Sequence, residues 1–344
     1  MVSLVDPRLA AGLSRARGLV RDRPHSPDSC SAAWVAGQPP AWGSAATATF
    51  WVALEQPGPW GHDAFAASRL DPVIGGGIAA RAGAAGGRAL LLRTPGRASL
   101  RRPGPAPRRV LIATGMPVGR PQLWTGSVTD PRDVLDLPWQ ELAAGHPERA
   151  ARALDLRQGT ESVLLICTNA QRDVCCAKLG LPLAATLAAE YPQRVFECSH
   201  TGGHRFAPTG VLLPTGATLG RLTSQLAAAA LHAPLTRLDH NLVDAQNLRG
   251  LAHLEPVLQA ADAYARATHG VHDLAIDTRA TLVPGHPRTT ATTRVVSVRL
   301  AQHGAGEPEQ LLLAVTETTD GVDRPVSCGR APAPSSFFDV AELT

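Results

Sequence analysis

The first half of the chain contains apolar runs that predict three strands and a helix. The runs with the length of strands are ATATFWVALE (46–55), RALLLR (88–93) and RVLIATG (109–115). Between the first two, HDAFAASRL (62–70) begins a helical pattern after the turn QPGPWG. This order predicts an α/β unit, followed by a connector over residues 116–155 with one helix, PWQELAAGHPERAARAL.

The second half has a similar pattern with one more strand and one more helix. Strands are predicted at ESVLLIC (161–167) and RVFEC (194–198), and a two-stranded hairpin at TGVLLPTGATLGRL (209–222). Helices are predicted at PLAATLAAEY (182–191), with Pro182 in its first turn, and at SQLAAAALHA (224–233). The order is strand, helix, three strands and helix, which again indicates an α/β unit.

These patterns divide the chain into four consecutive regions. Residues 1–45 are expected to be a poorly ordered N-terminal segment, because residues 1–30 are polar and have no clear period. The two α/β domains then cover residues 46–155, connector included, and residues 156–245. Residues 246–344 form an α+β extension, with a helix closed by Gly270 and strands at RVVSVRLA (294–301) and QLLLAVTE (310–317).

Composition changes this picture only by excluding some classes of partner. Hydrophobic residues make up 44% and charged residues 18%, as is typical of globular proteins. The net charge of +4 is too small and too evenly spread to indicate a nucleic-acid partner. No continuous apolar stretch has the length of a signal-peptide core or a membrane helix, so we expect a cytoplasmic protein with no membrane partner.

The cysteines and histidines carry the candidate chemistry. Four of the six cysteines fall between residues 167 and 198, and in a reducing compartment such a cluster favours metal binding or catalysis over disulfides. A strand–helix–strand crossover makes its two strands parallel, so their carboxyl ends meet at one edge of the sheet. Cys167, Cys175 and Cys176 follow the first of these strands, and His200 and His204 follow the second. We therefore expect these five residues to lie together at one edge of the sheet.

Two cysteines and two histidines suit either a structural zinc ion or a [2Fe–2S] cluster with two histidines on one iron. Short zinc motifs place cysteines close together, whereas Cys167 and Cys176 are nine residues apart, which suits a longer loop around a larger cluster. Both cysteines precede both histidines, unlike the Rieske arrangement of one of each per loop. Gly202 and Gly203 would let the backbone pass close to an inorganic sulfide.

The residues around these ligands resemble a known family. CTNAQRDVCCAKLGLPLAA and ECSHTGGHRFAPTGVLLPTGATLGRL are similar to the sucrase/ferredoxin-like family, a branch of the thioredoxin-like [2Fe–2S] ferredoxins. LEQPGPWGHDA, SRLDP and RPVSCG also resemble it, so the likeness runs from about Trp51 to Pro332. It implies an α/β fold with a thioredoxin-like ferredoxin domain, and the order of elements in the second unit indicates a loop in place of the middle helix. Because GPW and HDAF follow the first strand as CTNAQRD follows a later one, the first unit is interpreted as a degenerate half of the same type. An α+β tail follows the two units.

The resemblance also implies a ligand set. The family's ferredoxins use Cys-x₈₋₁₂-Cys and then Cys-x₃-Cys, and this chain has Cys167-x₈-Cys176 and then His200-x₃-His204. Members with the His-x₃-His variant hold a bis-histidinyl [2Fe–2S] cluster, which places Cys167 and Cys176 on one iron and His200 and His204 on the other. Cys176 is preferred to its neighbour Cys175 because it matches the family's RDxxC pattern.

Other residues near the motif have two interpretations each. Asp173 is interpreted either as a helix N-cap or as a hydrogen-bond partner of a ligand. Cys175 is interpreted either as a free buried thiol or as a residue that contacts a ligand without binding the metal itself. Cys198 is buried core or an alternative ligand, and Arg205 is solvated or paired, or tunes the charge of the cluster. Cys30 and Cys328 lie far from the motif and are interpreted as structural or incidental residues in preference to ligands.

The sequence favours an electron carrier and leaves other functions open. Neutral imidazole ligands raise the potential of a cluster and keep a ring nitrogen for a proton, so electron and proton uptake would be coupled. The alternative is a binding or redox-sensor module stabilised by zinc or a cluster. A thiol enzyme is disfavoured because the chain has no C-x-x-C, and no paired carboxylates indicate sucrase activity. GGGIAARAGAAGG (75–87) is not a dinucleotide fingerprint, so a reductase partner would be a separate chain.

Overall fold

The computed structural model describes residues 29–35, 38–96, 99, 107–274, 279–300 and 309–343. Most of the segment expected to be poorly ordered, residues 1–28, lies outside these residues. Its described part is packed instead: helix α1 (Cys30–Val35) buries Trp34, whose ring meets that of Phe206 edge-on at 5.3 Å. Burial of this large aromatic ring anchors the segment, which corrects the expectation for the described residues before 46.

The first unit contains the predicted strand, helix, strand and strand, with a second helix and with a further strand contributed by the connector. Its elements are β1 (Trp51–Glu55), α2 (Ala64–Ala67), α3 (Pro72–Ala84), β2 (Arg88–Arg93), β3 (Arg108–Thr114) and β4 (Gln122–Val128). The helix expected from residue 62 is only the single turn α2, and the crossover is made by α3, which Asp71 caps. Most glycines of the glycine-rich segment 75–87 lie inside α3, where Gly75 lets the backbone of Phe65 pass close to the helix.

The connector differs from the single helix predicted for it. It contains strand β4, two short helices α4 (Trp139–Ala143) and α5 (Glu148–Ala153), and strand β5 (Arg157–Gln158). Gly145 has a φ of +86° and Pro147 follows it, so the helical pattern breaks there. Strand β4 lies next to the short edge strand β5 and is mostly half-buried, which explains why it lacks the apolar run of a central strand.

The second unit has the predicted order of strand, helix, three strands and helix. Its elements are β6 (Val163–Cys167), α6 (Val174–Glu190), β7 (Val195–Cys198), β8 (Gly210–Leu213), β9 (Ala217–Leu219) and α7 (Ser224–His232). Helix α6 begins eight residues before Pro182, so the prediction that this proline lies in the first turn is wrong. The helix begins at Val174 because the Asp173 carboxylate accepts a hydrogen bond from the Cys175 amide, as its N-cap interpretation predicted.

Both units contribute to one mixed ten-stranded sheet. With β10 (Leu248–Leu251) added, the strand order is β10–β9–β8–β6–β7–β2–β1–β3–β4–β5. The order β7–β6–β8–β9 repeats β2–β1–β3–β4, and the first two strands of each unit, joined by a helix, are parallel. The chain is therefore a mixed α/β protein whose two units share a strand order and meet where β2 pairs antiparallel with β7.

The C-terminal extension forms smaller antiparallel sheets against a helix. Its elements are α8 (Pro256–His269), β11 (Arg279–Leu282), β12 (Thr293–Leu300), β13 (Glu309–Thr318), β14 (Asp323–Arg324), β15 (Ala333–Pro334) and β16 (Phe337–Glu342). Helix α8 ends at Gly270, as predicted, with a φ of +66°. Strands β11, β12, β13 and β16 form one sheet, and β14 pairs with β15. Among the described residues, no helix combines the length and apolar character needed to cross a membrane.

A buried ion pair lies where the two units meet. Arg93 of β2 donates to Glu197 of β7 through Nε at 2.8 Å and Nη2 at 2.6 Å, and the two side chains are only 7% and 4% exposed. The Arg93 guanidinium also lies over the Trp60 ring, 4.0 Å from its centroid. Thr168 Oγ1, directly after Cys167, donates to the same carboxylate at 3.1 Å. The pair therefore ties the first unit to the strand edge that carries the candidate ligands.

Replacing Glu197 with glutamine is expected to lower the free energy of unfolding by about 3 kcal/mol, because it leaves the Arg93 charge buried without a counter-charge. Urea denaturation followed by circular dichroism measures the change. The matched control is Glu141→Gln, since Glu141 pairs with Arg149 at 2.7 Å while both side chains are largely exposed. The control substitution should lower the free energy of unfolding by less than about 1 kcal/mol. Equal decreases in the two variants would contradict the conclusion that burial makes the Arg93–Glu197 pair important for stability.

Candidate metal centre

The candidate ligands follow two parallel strands that end at the same edge of the sheet. Strands β6 and β7 pair in parallel, with Cys167 opposite Cys198 as their last residues. Helix α6 starts seven residues after Cys167, and the loop after β7 carries the histidines up to a short 3₁₀ turn, His204–Phe206. The topological prediction that both loops converge at one edge is therefore confirmed.

Three of the four predicted ligands form a compact group. One ligand atom from each of Cys167, Cys176 and His200 lies within 4.8 Å of the other two, so the group could hold a metal ion. His200 Nδ1 is 3.9 Å from Cys167 Sγ. Both cysteines are buried and His200 is half-buried, which gives the group an apolar side and a side nearer to solvent.

His204 lies beside this group. Its ring centroid is 5.2 Å from that of His200, and the two rings are inclined by 33°. Its Nδ1 atom is buried and has no hydrogen-bond partner among the described residues, whereas its Nε2 atom is 3.8 Å from Asp173 Oδ2. Burial lowers the pKa of His204, an effect that Asp173 partly offsets. A neutral imidazole with a free buried nitrogen is the form that binds a metal.

The thiols of Cys167 and Cys176 lie close together in the core. Donation from Cys176 lowers the pKa of Cys167 well below its usual value, and His200 acts in the same direction. The pKa of Cys176 is raised because it is the donor and because it is buried. Cys167 is therefore the sulfur that most readily becomes a thiolate, the form in which cysteine binds metals.

Gly202 and Gly203 shape the histidine loop through the backbone. Their φ angles are +84° and +68°, in the left-handed region that favours glycine. A Cβ on Gly203 would overlap the guanidinium of Arg249, which is 1% exposed and donates to the Gly202 carbonyl at 2.9 Å. Burial lowers the pKa of Arg249 to about 9. Gly203 thus allows close approach to this guanidinium, a requirement that the sequence did not reveal.

The neighbouring cysteines of helix α6 point to different groups. Cys176 lies with Cys167, whereas Cys175 contacts Cys30 of α1 and Cys328 of the extension. A hydrogen bond from Cys30 lowers the pKa of Cys175 to about 5. The sequence did not predict that Cys30 or Cys328 contacts Cys175, because neither lies within the ligand motif. The only signal was RPVSCG, the segment with family resemblance that contains Cys328.

Cys198 and Arg205 have distinct surroundings. Cys198 is fully buried in the apolar core that also contains Cys167 and Cys176, and burial raises the pKa of its thiol well above the usual value. The Arg205 guanidinium is 4.8 Å from the ring centroids of both Trp34 and Phe206. Burial lowers its pKa, and its Nε atom has no hydrogen-bond partner among the described residues. The half-buried Arg205 side chain thus stacks on aromatic rings.

Comparison with known proteins gives one finding. A family model described as sucrase/ferredoxin-like matches residues 41–250, a span that exceeds half of the 344 residues and contains all four candidate ligands. Searches of curated proteins and of solved structures gave no match.

Proposed function

This chain belongs to the sucrase/ferredoxin-like family, and from that premise we propose that it is an electron carrier with one [2Fe–2S] cluster. Cys167, Cys176, His200 and His204 would hold the cluster. The observation that carries the proposal is the convergence of Cys167, Cys176 and His200 within 4.8 Å, beside a His204 ring whose buried Nδ1 has no partner among the described residues. Two thiolates and two imidazoles are a donor set that such clusters use.

The spread of the donors favours a cluster over a single zinc ion. Tetrahedral zinc, with bonds of about 2.0–2.3 Å, places its ligand atoms roughly 3.3–3.8 Å apart. His204 lies outside the group whose ligand atoms are all within 4.8 Å, although its ring contacts that of His200. Four donors spread in this way suit two iron atoms better than one ion.

The surrounding residues orient the donors and limit access of water. The carboxylate of Asp173 lies 3.8 Å from His204 Nε2, on the side of the ring away from the free Nδ1. At this distance the carboxylate does not accept a hydrogen bond from the ring, but its charge attracts the Nε2 side of the ring and so favours the orientation that leaves Nδ1 available to a metal. The two cysteines are fully buried, which keeps solvent from the thiolate side of the centre. When bound, the cluster would accept and release one electron, at a potential raised by its neutral imidazole ligands.

We also propose the side from which a redox partner approaches and the compartment in which the chain functions. The His204 side chain is 16% exposed while the cysteines are buried, so a redox partner would approach from the histidine side. The reductase would be a separate chain, because most of the glycine-rich segment of this chain lies inside α3 and does not form a dinucleotide-binding loop. The six free cysteines suit a reducing compartment such as the cytoplasm.

The proposal is tested on the full chain purified without oxygen. We expect about two iron and two acid-labile sulfide per chain, visible absorption from thiolate-bound iron, and a paramagnetic signal after one-electron reduction. A colourless protein with zinc bound at Cys167 and Cys176 would instead support a zinc-stabilised binding or sensor module. That outcome would contradict the electron-carrier function.

A further inference from the structure

We propose that Cys30, Cys175 and Cys328, together with Asp173, form a second metal site, which takes a zinc ion. The three sulfurs form a triangle: Sγ of Cys30 is 3.6 Å from that of Cys175 and 3.6 Å from that of Cys328, and the last two are 3.1 Å apart. Asp173 Oδ1 and Oδ2 are 3.8 and 3.7 Å from Cys30 Sγ. One ligand atom from each of the four residues lies within 4.8 Å of the others.

These distances fit one tetrahedral zinc ion. With Zn–S bonds of about 2.3 Å, the sulfur ligands of a tetrahedral ion lie roughly 3.8 Å apart. The three sulfurs therefore need to move by only a few tenths of an ångström to surround the ion. A disulfide would use two of the sulfurs and leave the third thiol buried beside it, whereas zinc uses all three. An iron–sulfur cluster would need the sulfurs further apart, because it inserts more than one metal atom between them.

Asp173 is placed to complete the coordination. Its Oδ2 atom accepts from the Cys328 amide at 2.8 Å and from Ser327 Oγ at 2.9 Å, and its Oδ1 atom accepts from the Cys175 amide at 2.8 Å. Two carboxylate oxygens offer about four acceptor positions, so one remains for the ion, on the Oδ1 side. The hydrogen bonds also hold the carboxylate still, which reduces the entropy lost on binding the metal.

Charge near the site also suits an anionic ligand set. Three thiolates and a carboxylate around Zn²⁺ carry a net charge of about −2. The half-buried Arg205, whose buried Nε has no hydrogen-bond partner among the described residues, is close enough to Cys30 for their charges to interact. Ser31 Oγ also donates to Cys175 Sγ at 3.3 Å. These groups stabilise the deprotonated sulfurs that zinc binding produces when it displaces the thiol protons.

The three cysteines come from distant parts of the chain. Cys30 lies in α1, Cys175 in the first turn of α6, and Cys328 in the segment between β14 and β15. One ion would fasten the N-terminal helix and the C-terminal extension to the helix that also carries Cys176. Because Asp173 faces both this group and His204, the second site would support the first without sharing its ligands.

The test measures zinc and iron in the same samples. The full chain is purified without chelator, supplied with equimolar Zn²⁺ and then desalted, and metals are determined by mass spectrometry. We expect about one zinc per chain in the unmodified protein, a loss of at least about tenfold in Cys30→Ser/Cys328→Ser, and full zinc with lost iron in Cys176→Ala. The matched control Cys198→Ala, which removes a buried cysteine outside both groups, should keep its zinc.

A measurement on the unmodified protein covers the case in which the double variant fails to fold. Iodoacetamide labelling followed by peptide mapping should show Cys30, Cys175 and Cys328 protected with Zn²⁺ bound and labelled after EDTA treatment. Three results would overturn the proposal: no zinc bound by the unmodified protein, zinc lost from Cys176→Ala but kept in the double variant, or a Cys175–Cys328 disulfide that persists under reducing conditions with Zn²⁺. Absence of iron alone would contradict the proposed electron-carrier function but would not contradict the proposed zinc site.

Discussion

Replacing Cys176 with alanine is expected to abolish iron binding, whereas the same change at the adjacent Cys175 should leave iron bound. Cys176 lies with Cys167 and His200 in the first group, and its removal leaves one sulfur donor there. Cys175 points to Cys30 and Cys328. Adjacent residues on a helix point about 100° apart, so the two thiols cannot substitute for each other without unwinding the first turn.

The two variants are compared by iron content and visible absorption after identical anaerobic purification. We expect a loss of at least about tenfold for Cys176→Ala and less than about twofold for Cys175→Ala. Because both changes remove one buried thiol from the same helix turn, each serves as the control for the other. Loss of iron from Cys175→Ala with retention in Cys176→Ala would mean that the ligand assignment is wrong.

Replacing Gly203 with alanine is expected to displace the histidine loop. The substitution forces a side chain into a left-handed backbone, which costs about 1 kcal/mol. The new Cβ also overlaps the Arg249 guanidinium, which cannot move freely because it donates to Ser44 and to the Gly202 carbonyl. Together these effects should lower the free energy of unfolding by about 3 kcal/mol. Since His204 follows directly, we also expect a severalfold loss of bound iron.

Gly202→Ala is the matched control for this prediction. Gly202 has a φ of +84°, but a Cβ there would meet only Ala46, at 3.9 Å. The Gly202→Ala substitution should therefore lower the free energy of unfolding only by the backbone strain, about 1 kcal/mol. This variant should keep most of its bound iron. Thermal unfolding and iron analysis of the two variants measure the difference. Equal effects would show that backbone conformation alone, and not the contact with Arg249, explains the glycine at position 203.

Much of the second unit could be predicted because its signals are local. Short apolar strands, a crossover helix and a hairpin gave the order of elements. The parallel pairing of the two strands joined by the crossover predicted that Cys167 and the histidines lie at one edge. The start of helix α6 was misplaced because Pro182 was interpreted as a first-turn residue, whereas Asp173 caps the helix earlier. Strand β4 was missed because this strand, which lies next to the edge strand β5, is mostly half-buried and lacks an apolar run.

The sequence by itself determined the order of elements in the second unit, the family and the spacing of the four candidate ligands, since these depend on residues near one another in the chain. Only the tertiary structure decided which of two adjacent cysteines faces which group, why Gly203 lies against Arg249, and that Cys30 and Cys328 meet Cys175. These contacts join residues up to 298 positions apart. They arise from the packing of whole elements, which no local pattern of residues encodes.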